Sequence, residues 1–139
     1  MAHDDYSKLE HLKMIQAAVG RMAQNSFVLK GWSVTLVTAM VALAVSDKNR
    51  AYAALALFPA IVFWGLDAYY LRQERLFRSL HDSVCKSKTD DVSPFSLSTK
   101  GSRRHVSSWA RTLFAPTIVA PHLSVVVVIG LVLLSVFRR

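Results

Sequence analysis

Residues 27–45 read FVLKGWSVTLVTAMVALAV, an apolar run carrying a single charge, Lys30. A helix needs ~20 residues at 1.5 Å each to cross ~30 Å of hydrocarbon, so this run is long enough to span a bilayer. Two further runs follow: AYAALALFPAIVFWGLDAYYL at 51–71 and LFAPTIVAPHLSVVVVIGLVLLSVF at 113–137. Hydrophobic residues make up 53% of the 139-residue chain, and they are bunched into these runs instead of spaced as in a soluble domain. The expected fold class is all-α: a polytopic membrane protein with three transmembrane helices, the first two a long antiparallel hairpin extending into the cytoplasm. A third segment bent near Pro116 and Pro121 that does not cross is the alternative. A full crossing is favoured, because unpaired backbone in lipid is costly.

The chain divides accordingly. Residues 1–26 form a cytoplasmic amphipathic helix continuous with the first span, and 27–71 the transmembrane hairpin. Residues 72–112 supply a cytoplasmic helix, a linker and an interfacial basic segment, and 113–139 the third transmembrane helix. Lysine and arginine number four in residues 1–30 and nine in 72–111, against two in the turn (Lys48, Arg50) and two at the end (Arg138, Arg139). That asymmetry places the N-terminus in the cytoplasm of a plasma membrane. The net charge of +8 is thereby assigned to orientation, and no nucleic-acid partner is expected. The single cysteine, Cys85, permits no intrachain disulfide. Residues 1–26 are too polar for a secretory signal, and MAHDD lacks the glycine of a myristoylation site.

The position of Lys30 follows from hairpin geometry. With the turn centred between Lys48 and Asn49, residues whose numbers sum to 97 lie at equal depth, so Lys30 comes level with Asp67. These are the only base and the only acid inside the first two spans, ~28 Å from the turn and close to the cytoplasmic edge of the hydrocarbon. An intramembrane charge pair is the expectation, since an isolated charge there is unfavourable. Trp32, Trp64, Tyr69 and Tyr70 crowd the same level as an interfacial anchor, joined by Trp109, Arg103 and Arg104 before the third span. Thr38 falls opposite Pro59, and small residues recur four apart at Thr35 and Ala39, Thr38 and Ala42, Ala56 and Ala60. His122 lies ~15 Å deep, near the level of Thr38 and Pro59. Those three residues are the pore or gating candidates, against a plain interhelical hydrogen bond for His122.

Outside the bilayer, Ser7 and Glu10 make a capping box that starts a helix near residue 8. Leu9, Leu12, Ile15, Val19, Met22 and Ser26 form one stripe of this helix. On the continuing second helix Leu76, Phe77, Leu80 and Val84 form another, opposite the alternating charges Glu74, Arg78, Asp82 and Lys86. The two stripes fall into register as a thin two-helix arm, which suggests a homo-oligomer or a partner subunit bound through it. Residues 87–102, SKTDDVSPFSLSTKGS, read as a mobile linker. The histidines have no metal-ligand spacing, the five glycines make no phosphate loop, and no nucleophile carries a motif. No catalytic residue, cofactor or metal is assigned, and an enzyme is not expected.

A capped cytoplasmic helix, a short-turn two-span hairpin and a further cytoplasmic helix resemble, over about residues 7–86, the layout of SLATT-type proteins. Those are small membrane effectors of bacterial nucleotide-signalled defence systems. RMAQNSFVLKGWSVTL and FWGLDAYYLRQERLF also look like blocks of small bacterial membrane proteins of unassigned function. The resemblance implies a bacterial inner membrane and an effector role in antiviral defence, and carries over no residue role. The third span departs from the two-span pattern. The leading expectation is an oligomeric pore or permeabilising effector gated through its cytoplasmic arm. The alternative is a non-conducting scaffold or anchor subunit of a larger membrane complex. The lipid bilayer is the partner common to both.

Overall fold

The computed structural model describes residues 2–47, 50–87 and 95–137. The described residues are helical or irregular, with no strand among them. Helix α1 runs Ala2–Ser46 and α2 runs Arg50–Lys86. A 3₁₀ turn, Gly101–Arg104, leads to a one-turn helix α3, Trp109–Thr112, and then to α4, Pro116–Phe137. Two helical segments, Asp5–Ser46 and Ala54–Lys86, are long and apolar enough to cross a membrane, and Pro116–Val132 is a shorter apolar helix.

Helices α1 and α2 lie side by side in opposite directions. Lys8 near the start of α1 donates to the Ser87 carbonyl beyond the end of α2, at 2.8 Å. Further along, Lys30 meets Asp67, and Val37 packs with Ala56 and Ala60. The buried positions of α1 are His11, Ile15, Ala18 with its neighbour Val19, Ser26, Ser33, Val37 and Ala44, recurring at steps of three, four or seven residues. That is the spacing of a seam facing one partner helix. From α2 the seam receives Ala56, Ala60, Asp67, Ala68, Leu76 and Val84. Helix α4 closes the far end, where Ile129 joins Val37, Ala56 and Ala60.

Several sequence expectations change. The capping box at Ser7 and Glu10 does not start α1, which begins at Ala2, so both residues sit inside the helix. Leu9 faces outward instead of joining the stripe, while His11 and Ala18 are buried. Lys48 and Asn49, the expected turn centre, lie outside the described residues. Of the small-residue pairs only Ala56 and Ala60 reach the helix contact; Thr35, Ala39, Thr38 and Ala42 are exposed. Valine and serine fill the α1 side instead.

The third apolar segment starts three residues later than expected. Thr112 ends α3, and Leu113–Ala115 turn the chain before Pro116 opens α4, a first-turn place where its missing N–H costs nothing. Pro121 sits within α4, and Pro59 within α2, without ending either helix. Of the expected linker, 88–94 lie outside the described residues. Residues 95–102 form a strap against the arm rather than a free tether. Phe95 takes a left-handed φ of 64°, and the Ser96 carbonyl lies 2.8 Å from His11 Nε2.

Candidate functional site: a buried polar cluster joining three helices

Asp67 is fully buried, at 0% exposure. Burying a carboxylate is unfavourable unless donors surround it. Here they come from two other helices. Ser26 Oγ of α1 donates to Asp67 Oδ1 at 2.5 Å, and Lys30 Nζ donates to the same oxygen at 2.7 Å. Lys30 also donates to Ser26 Oγ at 2.8 Å, so the three groups form a closed triangle. Ser26 and Lys30 are one helical turn apart, so the α1 period aims both at one point of α2.

His122 of α4 supplies the third side. Its Nε2 lies 3.3 Å from Asp67 Oδ2. An ionised carboxylate only accepts, so Nε2 carries the proton of this bond. The imidazole stacks on Trp64, with ring centroids 6.1 Å apart and planes inclined by 13°. This corrects the depth assigned to His122 from the sequence. That depth counted a continuous helix from Thr112, whereas the turn at 113–115 moves α4 so that His122 comes level with Asp67. Thr38 and Pro59 are not brought to it. Thr38 is exposed and lines a groove between α1 and α4 with Val34, Val37, Val41, Ser124 and Val128, and Pro59 is half-buried on α2.

The aromatic and basic residues split. Trp64 Nε1 donates to the Leu113 carbonyl at 3.0 Å, and Trp109 Nε1 donates to the Gly65 carbonyl at 3.1 Å. These reciprocal bonds clasp the corner that carries α3 to α2. Trp32 and Tyr69 are exposed, and Tyr70 lies edge-on to Tyr69 with centroids 5.5 Å apart. Arg103 and Arg104 are exposed on the 3₁₀ turn.

Three participants escaped the sequence reading. Ser26 was placed on an apolar stripe, and a serine one turn from a lysine and level with an acid is the signal that identifies it. Arg72 donates from Nε to the Ser107 carbonyl at 3.2 Å, a long-range contact with no local pattern. Ser33 is buried with its hydroxyl unpaired among the described residues. No group of three or more metal-ligating side chains occurs among the described residues. Ser26, Lys30 and His122 all converge on Asp67, so the arrangement ties three helices together. Comparison with protein-family models, with curated proteins and with solved structures finds no match.

Proposed function

We propose that this chain is a membrane-embedded, non-conducting scaffold subunit. In this reading α1, α2 and α4 cross the bilayer, and the α1–α2 arm projects into the cytoplasm to hold a second copy or a partner. The observation that carries it is the closure of the Asp67 cluster: Ser26, Lys30 and His122 satisfy the carboxylate within one chain. A conducting path needs polar groups turned toward water, and these are turned inward. The membrane itself is supported by how outward-facing the apolar segments are. Only 17% and 22% of the residues in the most apolar windows of the two long helices are buried. The core helix of a water-soluble protein would be mostly buried there. Phe27 is 74% exposed and Phe58 69%, with Ile61, Leu131 and Leu134 also outward. Lipid covers such surface without cost, whereas water does not.

The pore reading survives as a second possibility on one observation. Thr38 and Ser124 are exposed beside the same groove, where assembly of several copies would bring hydroxyls together. The antiviral effector role suggested by layout belongs to that reading.

Two measurements test this. The native Cys85, exposed on the arm, should resist an impermeant maleimide in intact cells and react once the membrane is opened. Labelling of intact cells would invert the orientation. Purified protein in liposomes should pass no ions at any pH or lipid composition. A steady leak that Thr38→Val or Ser124→Ala abolishes would replace the scaffold with the pore.

A further inference from the structure

The corner between α2 and α3 holds a cleft of about 270 Å³ lined by Ile61, Trp64, Gly65, Trp109, Leu113 and Phe114. Its walls are almost wholly apolar, with Phe114 and Ile61 strongly exposed at its margin. Gly65 lies against it: a Cβ there would stand in van der Waals contact with the Trp109 ring, at 3.6 Å.

The α2 wall continues toward the arm along one helical face. Positions 61, 65, 68 and 72 repeat every three or four residues, so Arg72 stands about 10 Å from Gly65 on the same stripe. The guanidinium of Arg72 is held by the bond from its Nε to the Ser107 carbonyl, which leaves its terminal nitrogens without a partner among the described residues. Arg111, in α3 between two lining residues, and Arg103 and Arg104 on the preceding turn are exposed and have no acidic partner among the described residues. The acids nearest Arg72 in sequence are spent elsewhere, Glu74 on Arg78 and Asp67 on the cluster. The apolar cleft, with its two indoles, thus adjoins chain segments that carry four arginines, one of which, Arg72, is fixed by its bond to Ser107. Guanidinium is suited to phosphate through paired donors.

We infer that this corner is a binding site for one anionic phospholipid, its acyl chain in the Ile61–Phe114 cleft and its phosphate on Arg72 and Arg111. The inference rests on the membrane reading above. The site gives the scaffold a lipid preference, and the occupied cleft would brace the reciprocal Trp64 and Trp109 bonds that hold α3 on α2.

The test reconstitutes the full chain in vesicles containing brominated phosphatidylglycerol or brominated phosphatidylcholine at equal mole fraction. The quenching of Trp109 is read as the difference between wild type and Trp109→Phe. Preferential quenching by the anionic lipid is expected. Arg111→Gln, at an exposed position, should weaken that preference about fivefold, and Arg72→Gln by a similar factor. Gly65→Leu, which puts a side chain into the cleft without substituting any arginine, should abolish it. Equal quenching by both lipids overturns the site. A preference that persists in Gly65→Leu reduces it to general surface attraction and also overturns it. If neither lipid quenches any tryptophan, the chain is not in the bilayer, and the membrane reading falls first.

Discussion

The interior of this protein changes character along a single seam. In the arm, the α1–α2 contact is apolar apart from His11: Ile15, Ala18, Val19, Leu76 and Val84 are buried, while Glu10, Lys13, Arg78 and Asp82 line the outside. Around Asp67 the arrangement reverses. Serine, aspartate, lysine and histidine are turned inward, and Phe27, Val28, Trp32, Val34 and Leu66 are turned outward. One solvent cannot favour both patterns. An apolar inside is what water selects, and a polar inside with an apolar outside is what a bilayer tolerates, because there polar groups must find partners within the protein. On the membrane reading proposed above, the same pair of helices meets two surroundings, with the change of sign near residues 26 and 67.

Lys30→Met strikes the polar half hardest. It leaves the carboxylate of Asp67 buried with one charge partner fewer, and removing one member of a buried pair costs about 3–5 kcal/mol. The reverse change should be milder. Lys30 keeps 29% of its side chain exposed, so in Asp67→Asn the ammonium can reach the headgroups. The double variant should recover much of what Lys30→Met loses. A double-mutant cycle of unfolding in detergent checks this, and equal losses for the two single variants would show that the asymmetry of burial carries no energetic weight.

Leu76→Ala probes the apolar half. The side chain is fully buried, so the cavity should cost about 2–4 kcal/mol. The loss should be confined to the arm. Hydrogen exchange would speed up around residues 12–22 and 70–84 while amides near Asp67 stay protected. Uniform acceleration across both halves would mean the seam unfolds as one unit, and the comparison would lose its thermodynamic content.

How much of this could be read beforehand follows the same division. The register of α1 on α2 was legible because hairpin geometry and a lone pair of opposite charges fix it twice over. Lys30 and Asp67 fall at equal depth by counting, and they stand 2.7 Å apart. The two long helices were legible from apolar length and from the amphipathic stripes that continue them, with Pro59 and single glycines tolerated inside. What failed was what the third helix and the strap decide, where no hairpin symmetry fixes the pairing. The level of His122 depends on a three-residue turn at 113–115 whose geometry no composition rule specifies. The outward direction of Thr38 depends on where α4 settles. The strap at 95–102, with three serines and a glycine, reads as a tether, yet His11, 85 residues away, holds the Ser96 carbonyl, and Arg72 holds Ser107 just beyond it. The start of α1 was misplaced because a capping box is a permitted beginning, and Ala2–Tyr6 continue the helix regardless.

That strap yields the next largest effect. His11→Ala removes the donor to the Ser96 carbonyl and a ring 6.2 Å from Phe95. One hydrogen bond and a partly buried aromatic contact amount to about 1–2 kcal/mol. Cleavage by a protease between 95 and 107 should accelerate several-fold, with the Asp67 cluster unaffected. An unchanged rate would mean that Arg72 and the 3₁₀ turn secure the strap alone.

The smallest effect belongs to the outside of the arm. Arg78 and Glu74 stand 2.6 Å apart, four residues apart on α2, with the Arg78 side chain 65% exposed. Ion pairs of that exposure contribute about 0.3–0.5 kcal/mol and weaken with salt. Glu74→Gln should therefore shift unfolding by no more than that, and the shift should vanish in high salt. A salt-insensitive loss of several times this size would mean that Glu74, whose side chain is only 12% exposed, is paired in a nearly dry setting. The bilayer-like environment would then extend past residue 71 into the arm, and the boundary inferred from Ser26 and Asp67 would have to move by about two helical turns.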